Sequence, residues 1–186
     1  MSQIVAARTP LAGLFEIDRK PHVDARGSFA RLFCDDALSP WGWDRPIRQI
    51  NHSTTEGRGT LRGMHFQFPP DSETKLVTCL AGEVFDVAVD LRAGSPTFLR
   101  WHGVMLSSEN RRSLLIPRGF AHGFQTLTEH VELLYLHDAA YAPRSEGGLC
   151  PLDPRLAIAW PLPVSLISDR DAKHPLIDEQ FRGIPS

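Results

Sequence analysis

Hydrophobic and polar residues alternate every second position in many short segments of the chain, which is the period of a β-strand with two different faces. The clearest example is GEVFDVAVDLR, residues 82–92, where Asp86 and Asp90 share one face. The opposite, apolar face is formed by Phe85, Val87, Val89 and Leu91. This pattern predicts a strand with one buried face.

Further short strands are predicted along the chain, separated by turn signals such as DARG, AGSP and PRGF. Few windows keep a helical apolar period beyond two turns. A short helix is expected in CDDALSPWG, residues 34–42, with the aspartates as caps. The predicted strands are LFEIDRK (14–20), GSFARLF (27–33), IRQINHS (47–53), LRGMHFQ (61–67), KLVTCLA (75–81), LRWHGVML (99–106), RSLLIP (112–117), HGFQTLT (122–128) and VELLYLH (131–137). Regular short strands of this kind predict an all-β fold, a closed or nearly closed jelly roll with a few short helices.

The length of 186 residues fits one domain over residues 1–186, with an irregular tail from about residue 165 that holds one or two helical turns. A formal net charge of −2 gives no basic field, so a nucleic-acid partner is not expected. Three widely spaced cysteines form no CxxC pair, which favours a reducing, cytoplasmic location. The N-terminal segment has no long apolar run, so neither a signal peptide nor a membrane span is predicted.

His65 is the first candidate for chemistry, because the alternation in LRGMHFQ separates it from Met64 and Phe66 and places it beside Gln67. IPRGFAH, residues 116–122, has the PxGxxH spacing of a cupin metal motif. Lys75, however, stands in the region where that motif expects a carboxylate, and an ammonium group repels a metal ion. We therefore expect no metal and no cofactor. A histidine base beside a positive charge could instead form and hold an enolate.

Several motifs, taken in order along the chain, resemble those of the dTDP-4-dehydrorhamnose 3,5-epimerase family. Members of this family are metal-free cupins of nucleotide-sugar metabolism. The motifs are LRGMHFQ, KLVTCLAGEVFDVAVDLRAGSPTF, LSSENRR, IPRGFAHGF, ELLY and SDRDAKHP, and the resemblance covers roughly residues 14–176. It implies a cupin-type double-stranded β-helix that inverts C3 and C5 of a dTDP-4-keto-6-deoxyhexose. It also implies a homodimer in which strands of one subunit help cover the site of the other.

The resemblance implies four catalytic residues. His65 would be the base, Asp171 would orient it, Tyr135 would return a proton from the far face, and Lys75 would lie near the keto oxygen. Each residue also has a structural alternative. Asp171 could cap a turn, Tyr135 could be a core tyrosine with a satisfied hydroxyl, and Lys75 could be a solvated lysine at a strand end.

The resemblance also implies a set of substrate-binding residues. Arg26 and Arg62 would contact phosphate oxygens, for which a planar guanidinium is suited. Gln49 and Asn51 would lie near the nucleotide or sugar, and His122 would contact the sugar or simply pack in the barrel. Glu146 and Arg170 also belong to the set, but each could equally be solvated at the surface. The full set is Arg26, Gln49, Asn51, Arg62, His122, Glu146 and Arg170.

Four positions depart from the common family pattern, and one of them is Leu136, which stands where a lysine is usual. Ala140 stands where an aromatic residue is usual, Ile50 replaces a common acidic residue, and Thr74 replaces glycine. Loss of an aromatic stacking surface costs roughly 1 kcal/mol of contact energy. These departures leave open an enzyme that inverts one carbon only or takes another nucleotide or sugar. A metal-dependent cupin enzyme and a non-catalytic sugar-binding cupin are the more distant alternatives.

Overall fold

Two antiparallel sheets face each other in the computed structural model, which describes residues 3–185. The strands of the described residues are β1 (Gln3–Arg8), β2 (Phe15–Lys20), β3 (His22–Asp24), β4 (Gly27–Phe29), β5 (Gln49–Glu56), β6 (Thr60–Gln67), β7 (Lys75–Ala81), β8 (Glu83–Asp90), β9 (Trp101–Ser107), β10 (Arg112–Ile116), β11 (Phe120–Thr126), β12 (His130–His137), β13 (Glu146–Gly148) and β14 (Leu166–Ile167). The helices are α1 (Asp35–Leu38), followed by a 3-10 turn at Ser39–Trp41, and α2 (Asp169–Ala172).

The first sheet has the strand order β1-β2-β10-β7-β12-β5, and the second has the order β13-β6-β11-β8-β9. β14 pairs with β6 in parallel, while β3 and β4 form a separate hairpin. Strands that are distant in sequence are neighbours in both sheets, as in a jelly roll. The predicted all-β jelly-roll class is therefore confirmed.

The main core lies between the two sheets. Val77, Leu114 and Leu133 from the first sheet are fully buried in one cluster with Ala88 and Phe124 from the second. Alternate residues of each strand point into this layer, so the sequence period of two is met by burial of one face of each sheet. The cluster fills only part of the space between the sheets and leaves a cavity beside it.

The outer face of the second sheet is also covered, and this explains the predicted alternation in β8. Val87 and Val89 pack outward against Ile177 and Ile184 of the C-terminal segment. Asp86 points to the other side, toward the cavity layer, where it bonds His122. The alternation was predicted correctly, and its apolar face is buried by the tail, which holds the single helical turn α2.

The outer face of the first sheet is covered by the segment around α1. Trp43 is fully buried there and packs in a cluster with Ile17 and Leu76. The expected aspartate cap on α1 was wrong, because the N-cap residue is Cys34 and its side chain makes no capping bond. Asp35 and Asp36 lie within the first turn, where their charges favour the positive end of the helix.

Several short elements differ from the sequence prediction. The strand predicted over residues 27–33 ends at Phe29, because its partner β3 is only three residues long. β1, β3, β13 and β14 were not predicted, since β1 is mixed in character, β3 and β14 have only three and two residues, and β13 is mostly glycine. No helix among residues 3–185 has the length and apolar character needed to cross a membrane. That the whole chain forms one domain stays a prediction.

Candidate active site

A cavity of about 290 Å³ opens between the two sheets and is lined from both sides. Strands β5, β7 and β12 supply the wall from the first sheet, and β6, β11 and β13 supply the opposite wall. The lining residues are Gln49, Asn51, Ser53, Arg62, His65, Phe66, Gln67, Glu73, Lys75, His122, Gly123, Phe124, Tyr135, His137, Tyr141 and Glu146. Most of the residues selected from the sequence therefore converge on one space.

His65 on β6 is bonded to Asp171 on α2, with 2.8 Å between Nε2 and Oδ1. Asp171 is buried, and its second oxygen accepts the backbone N–H of Gly63 at 3.1 Å. Burial opposes ionisation of this carboxyl, but the bonds from His65 and Gly63 hold its pKa below the usual value. The carboxylate thus fixes Nε2 as the protonated ring nitrogen and leaves Nδ1 of His65 as a free base.

Asp171 is held by its own local structure as well. Ser168 is the N-cap of α2, and its hydroxyl accepts the Asp171 backbone N–H at 3.1 Å. The helix is one turn long and packs on β6 next to the site. The alternative in which Asp171 caps a turn is therefore wrong. Its carboxylate bonds Gly63 and His65, and the cap of α2 is Ser168.

A bulge in β6 brings both Arg62 and His65 to the cavity. Arg62 is paired with Phe124 and His65 with His122, so two residues of β6 face the single residue Gly123. In a regular strand, side chains three positions apart point to opposite faces. Gly63 is required here, because its φ is +129° and a Cβ would lie 2.5 Å from the Cα of Gly123.

Tyr135 on β12 lies on the wall opposite His65. Its hydroxyl is 3.2 Å from the hydroxyl of Ser53, and burial raises its pKa above the usual value. The phenol therefore stays protonated and able to donate. His122, which is held by Asp86 at 2.8 Å, packs edge-on against the Tyr135 ring with 6.1 Å between centroids.

Lys75 is buried in the cavity wall and is not a solvated strand-end lysine. Its ammonium lies 2.9 Å from Glu73, whose other oxygen is 2.8 Å from Nδ1 of His137. Burial opposes ionisation of Glu73, but the charges of Lys75 and His137 lower its pKa to about 2. Glu73 and His137 were missed in the sequence, although His137 lies two positions from Tyr135 on β12 and so shares its face, whereas Glu73 lies before the start of β7.

The mouth of the cavity holds further predicted binding residues. Gln49, Asn51 and Arg62 line it, and Arg62 has no carboxylate partner among the described residues. Glu146 also lines the cavity, where it forms an ion pair with Arg170 and accepts a hydrogen bond from Tyr141 at 2.8 Å. Arg170 itself borders a neighbouring cavity.

Arg26 is the predicted residue that the structure places apart from the others. It lies at the turn of the β3–β4 hairpin with 90% of its side chain exposed, and it pairs with Asp24 at 2.7 Å. It is not among the residues that line the cavity of its own chain. A role in binding would require the hairpin to meet the cavity of another molecule.

Three of the family departures are sequence neighbours of residues that line the cavity. Ile50 is exposed on β5 between Gln49 and Asn51. Ala140 is exposed, and its carbonyl accepts a hydrogen bond from Gln67. Thr74 is buried and donates its backbone N–H to Asp138 at 2.7 Å. None of these three side chains is among the residues that line the cavity, since Ile50 points away from Gln49 and Asn51 on β5 and Ala140 borders a neighbouring cavity.

His174 is a site residue that the sequence reasoning missed. Its ring lies edge-on to His65 with 5.8 Å between centroids, and its Nε2 is 3.9 Å from Oδ1 of Asp171. The signal available was its spacing of three from Asp171, which places both side chains on one side of a helical turn. Burial, and then the charge of His65, lower the pKa of His174.

The two facing sheets, with titratable groups between them, define a cupin-type jelly-roll enzyme. Comparison with known sequences narrows this class, because the dTDP-4-dehydrorhamnose 3,5-epimerase family profile matches residues 8–179. The chain belongs to this family.

Individual relatives agree with this result. The dTDP-4-dehydrorhamnose 3,5-epimerase of Mycobacterium tuberculosis is 41% identical over 178 residues, which cover 94% of this chain and 88% of the relative. The dTDP-4-dehydrorhamnose 3-epimerase of Streptomyces niveus is 40% identical over 171 residues, covering 91% of this chain and 82% of the relative. The crystal structure of dTDP-6-deoxy-D-glucose-3,5-epimerase from Legionella pneumophila with dTDP-4-keto-L-rhamnose has a TM-score of 0.90 and 41% identity over 98% of both chains.

Proposed function

We propose that the protein inverts C3 and C5 of a dTDP-4-keto-6-deoxyhexose through an enolate. The observation that carries this proposal is the pair of proton-transfer groups on opposite walls, His65 on β6 and Tyr135 on β12. Inversion of a carbon next to a ketone needs a base on one face and an acid on the other. The family membership of the chain supports the same reaction.

In the proposed step, Nδ1 of His65 takes the proton from the carbon, and the electron pair of the broken C–H bond moves onto the keto oxygen. The Asp171 carboxylate, 2.8 Å from Nε2, stabilises the imidazolium that forms. Lys75 donates toward the enolate oxygen. The Tyr135 hydroxyl then returns a proton to the opposite face of the carbon, and its raised pKa keeps it protonated until that moment. Solvent exchanges the protons of His65 and Tyr135 afterwards.

The binding residues fit an anionic nucleotide sugar. Arg62 lines the cavity without an internal ion pair among the described residues, so its guanidinium is available to a diphosphate. Gln49 and Asn51 offer amide groups at the same mouth. His122 is held by Asp86 with one ring edge toward Tyr135, a position from which it contacts the sugar.

Replacement of the base tests this function. His65→Ala should lower turnover of dTDP-4-keto-6-deoxyglucose at least about 100-fold, which is the usual contribution of a positioned base. His102→Ala is the matched control, because His102 is bonded to Glu16 away from the cavity and its loss should leave turnover unchanged. Equal activity of wild type and His65→Ala would remove His65 from the mechanism.

A single-carbon epimerase is the second candidate. It is favoured by one specific observation, the 40% identity to a relative described as a 3-epimerase. Ile50 and Ala140 depart from the family pattern next to the cavity-lining residues Asn51 and Tyr141 in the chain. Analysis of the product with C3 and C5 resolved separately distinguishes the two reactions.

We also propose that the protein is a homodimer whose hairpins complete the sites. The β3–β4 hairpin pairs with neither sheet and exposes 64% of Val23 and 69% of Phe29 beside Arg26. Exposed apolar side chains grouped on one hairpin beside a charged residue suit a contact surface between subunits. Light scattering should give about twice the 20.8 kDa chain mass, and the mass of a single chain would contradict the proposal.

The free cysteines Cys34, Cys79 and Cys150 suit a reducing compartment, and we place the protein in the cytoplasm on this ground.

A further inference from the structure

Three side chains that can ligate a metal ion meet beside the cavity at His65. One ligand atom from each of His65, Asp171 and His174 lies within 4.8 Å of the other two. Two of these distances, 2.8 Å for His65 to Asp171 and 3.9 Å for His174 to Asp171, bracket the separation of about 3.4 Å between ligands of a tetrahedral zinc ion. Two imidazoles and one carboxylate are a ligand set that zinc prefers.

The fold holds His174 in this position and buries one of its two ring nitrogens. Its Nε2 is buried and has no hydrogen-bond partner among the described residues. The ring lies directly over Gly148, where a Cβ would come within 2.3 Å of it. Gly148 is paired with His65 across β13 and β6, so the two imidazoles are fixed on the same part of the sheet. A buried imidazole nitrogen without a partner is costly unless something else binds it.

The electrostatic surroundings permit a cation at this point. Asp171 carries a negative charge, and the two imidazoles are neutral when they act as ligands. The nearby charges of Glu146 and Arg170 cancel in an ion pair, and Lys75 is neutralised by Glu73. His65 has 40% of its side chain exposed, which allows its ring to adjust and leaves a fourth position for water.

We propose that His65, Asp171 and His174 form a binding site for Zn²⁺, and that an ion bound there stops turnover because it displaces the proton of Nε2 and the neutral His65 ring then carries its proton on Nδ1, the atom that acts as the base. The ion would take Nε2 of His65 and break its bond to the carboxylate. An ion at this site would therefore be an inhibitor. It would differ from the catalytic metal that a cupin motif would hold near the position of Lys75. The inhibition rests on the proposed role of His65, whereas the binding does not.

Calorimetry with Zn²⁺ and chelator-treated protein tests the binding. Wild type should bind one Zn²⁺ per chain, and His174→Gln should weaken the affinity at least about tenfold, since even outer-shell partners of a ligand contribute that much. His130→Gln is the matched control. His130 lies between Glu56 and Glu132 on the surface, at 2.8 Å and 3.1 Å, so it is a histidine beside carboxylates away from the proposed site. Equal Zn²⁺ affinity of wild type and His174→Gln, or loss of binding in His130→Gln alone, would overturn the site.

A measurement on wild type keeps the test independent of how a variant folds. In ¹⁵N spectra of the imidazoles, Zn²⁺ should shift the resonances of His65 and His174 and leave those of His130 unchanged. Shifts confined to other histidines would overturn the site.

Turnover separates the two parts of the proposal. Saturating Zn²⁺ should lower turnover of wild type at least about 100-fold, reversibly with chelator, because it removes the base. His174→Gln should be far less sensitive to Zn²⁺ than wild type when the turnover of each protein is compared with its own turnover without metal. Zn²⁺ bound to His65 with no loss of turnover would leave the site in place and contradict both the inhibition and the proposed role of His65.

Discussion

Removal of the charge on Glu73 should destabilise the protein strongly. The Glu73 carboxylate is buried between the Lys75 ammonium at 2.9 Å and the His137 ring at 2.8 Å. These neighbours lower its pKa from the ordinary 4.5 to about 2, against the effect of burial. At about 1.4 kcal/mol per tenfold change in proton affinity, the carboxylate contributes about 3 kcal/mol to the free energy of unfolding at neutral pH.

Glu73→Gln should therefore cost about 3 kcal/mol at pH 7, which agrees with the cost of about 3–5 kcal/mol for breaking a buried ion pair. Much of this cost arises because Lys75 is left buried and unpaired. The added substitution Lys75→Met should recover part of the loss, since a buried pair can often be replaced by apolar groups.

The dependence on pH has a definite sign. Because the pKa of Glu73 is lower in the folded protein, its contribution is fully present above about pH 4.5 and is lost as the pH falls toward 2. The difference in stability between wild type and Glu73→Gln should shrink over this range. Above pH 5, the part of this stability difference that depends on ionisation of Glu73 should stay constant.

Urea unfolding followed by tryptophan fluorescence measures these differences, with four tryptophans in the chain and one fixed protein concentration. Glu109→Gln is the matched control, because Glu109 is exposed in a turn, and it should change stability by less than about 0.5 kcal/mol. A loss below about 1 kcal/mol in Glu73→Gln, with an unchanged urea slope, would refute the electrostatic role assigned to this cluster.

Three further substitutions test the proposed mechanism. Asp171→Asn should lower turnover at least about 100-fold, because it removes the charge that orients and stabilises protonated His65. Measurement of kcat for the variant and for wild type checks this, with circular dichroism to show that the fold is unchanged. Tyr135→Phe should keep exchange of the substrate C–H proton with heavy water but lose inversion, and loss of both would place Tyr135 elsewhere in the reaction. Arg26→Ala should raise KM. If Arg26 acts across a dimer, mixed dimers of Arg26→Ala with His65→Ala should regain the wild-type KM, and a KM that stays raised would exclude this.

The strands that carry the site could be predicted because their local pattern and their final burial agree. The apolar residues Val87 and Val89 of β8 pack under the C-terminal segment, and Met64 of β6 lies in the same outer cluster while His65 lines the cavity. β13 could not be predicted, since two of its three residues are glycine and only pairing with β6 makes it a strand. Local pattern therefore identifies the sheets but not the short pieces that depend on tertiary pairing.

Family motifs identified the site residues whose chemical role is known for that residue type at that motif position. Partners supplied by the fold were missed. Nothing in the sequence around Glu73 indicates that Lys75 would be buried and need a counter-charge, and His174 reaches His65 only because the C-terminal segment returns to β6 through β14 and α2. The position of Arg26 shows the reverse case, in which a motif residue is separated from the cavity by the fold of its own chain.

Proton exchange at the sugar carbons tests the central claim most directly. The protein would be incubated with dTDP-4-keto-6-deoxyglucose in heavy water, and NMR would locate the incorporated deuterium. The proposed reaction predicts deuterium at both C3 and C5 in wild type and at neither carbon in His65→Ala. Label at one carbon only would make the protein a single-carbon epimerase, and folded wild-type protein that incorporates none would contradict the account of this cavity as an epimerase site for that substrate.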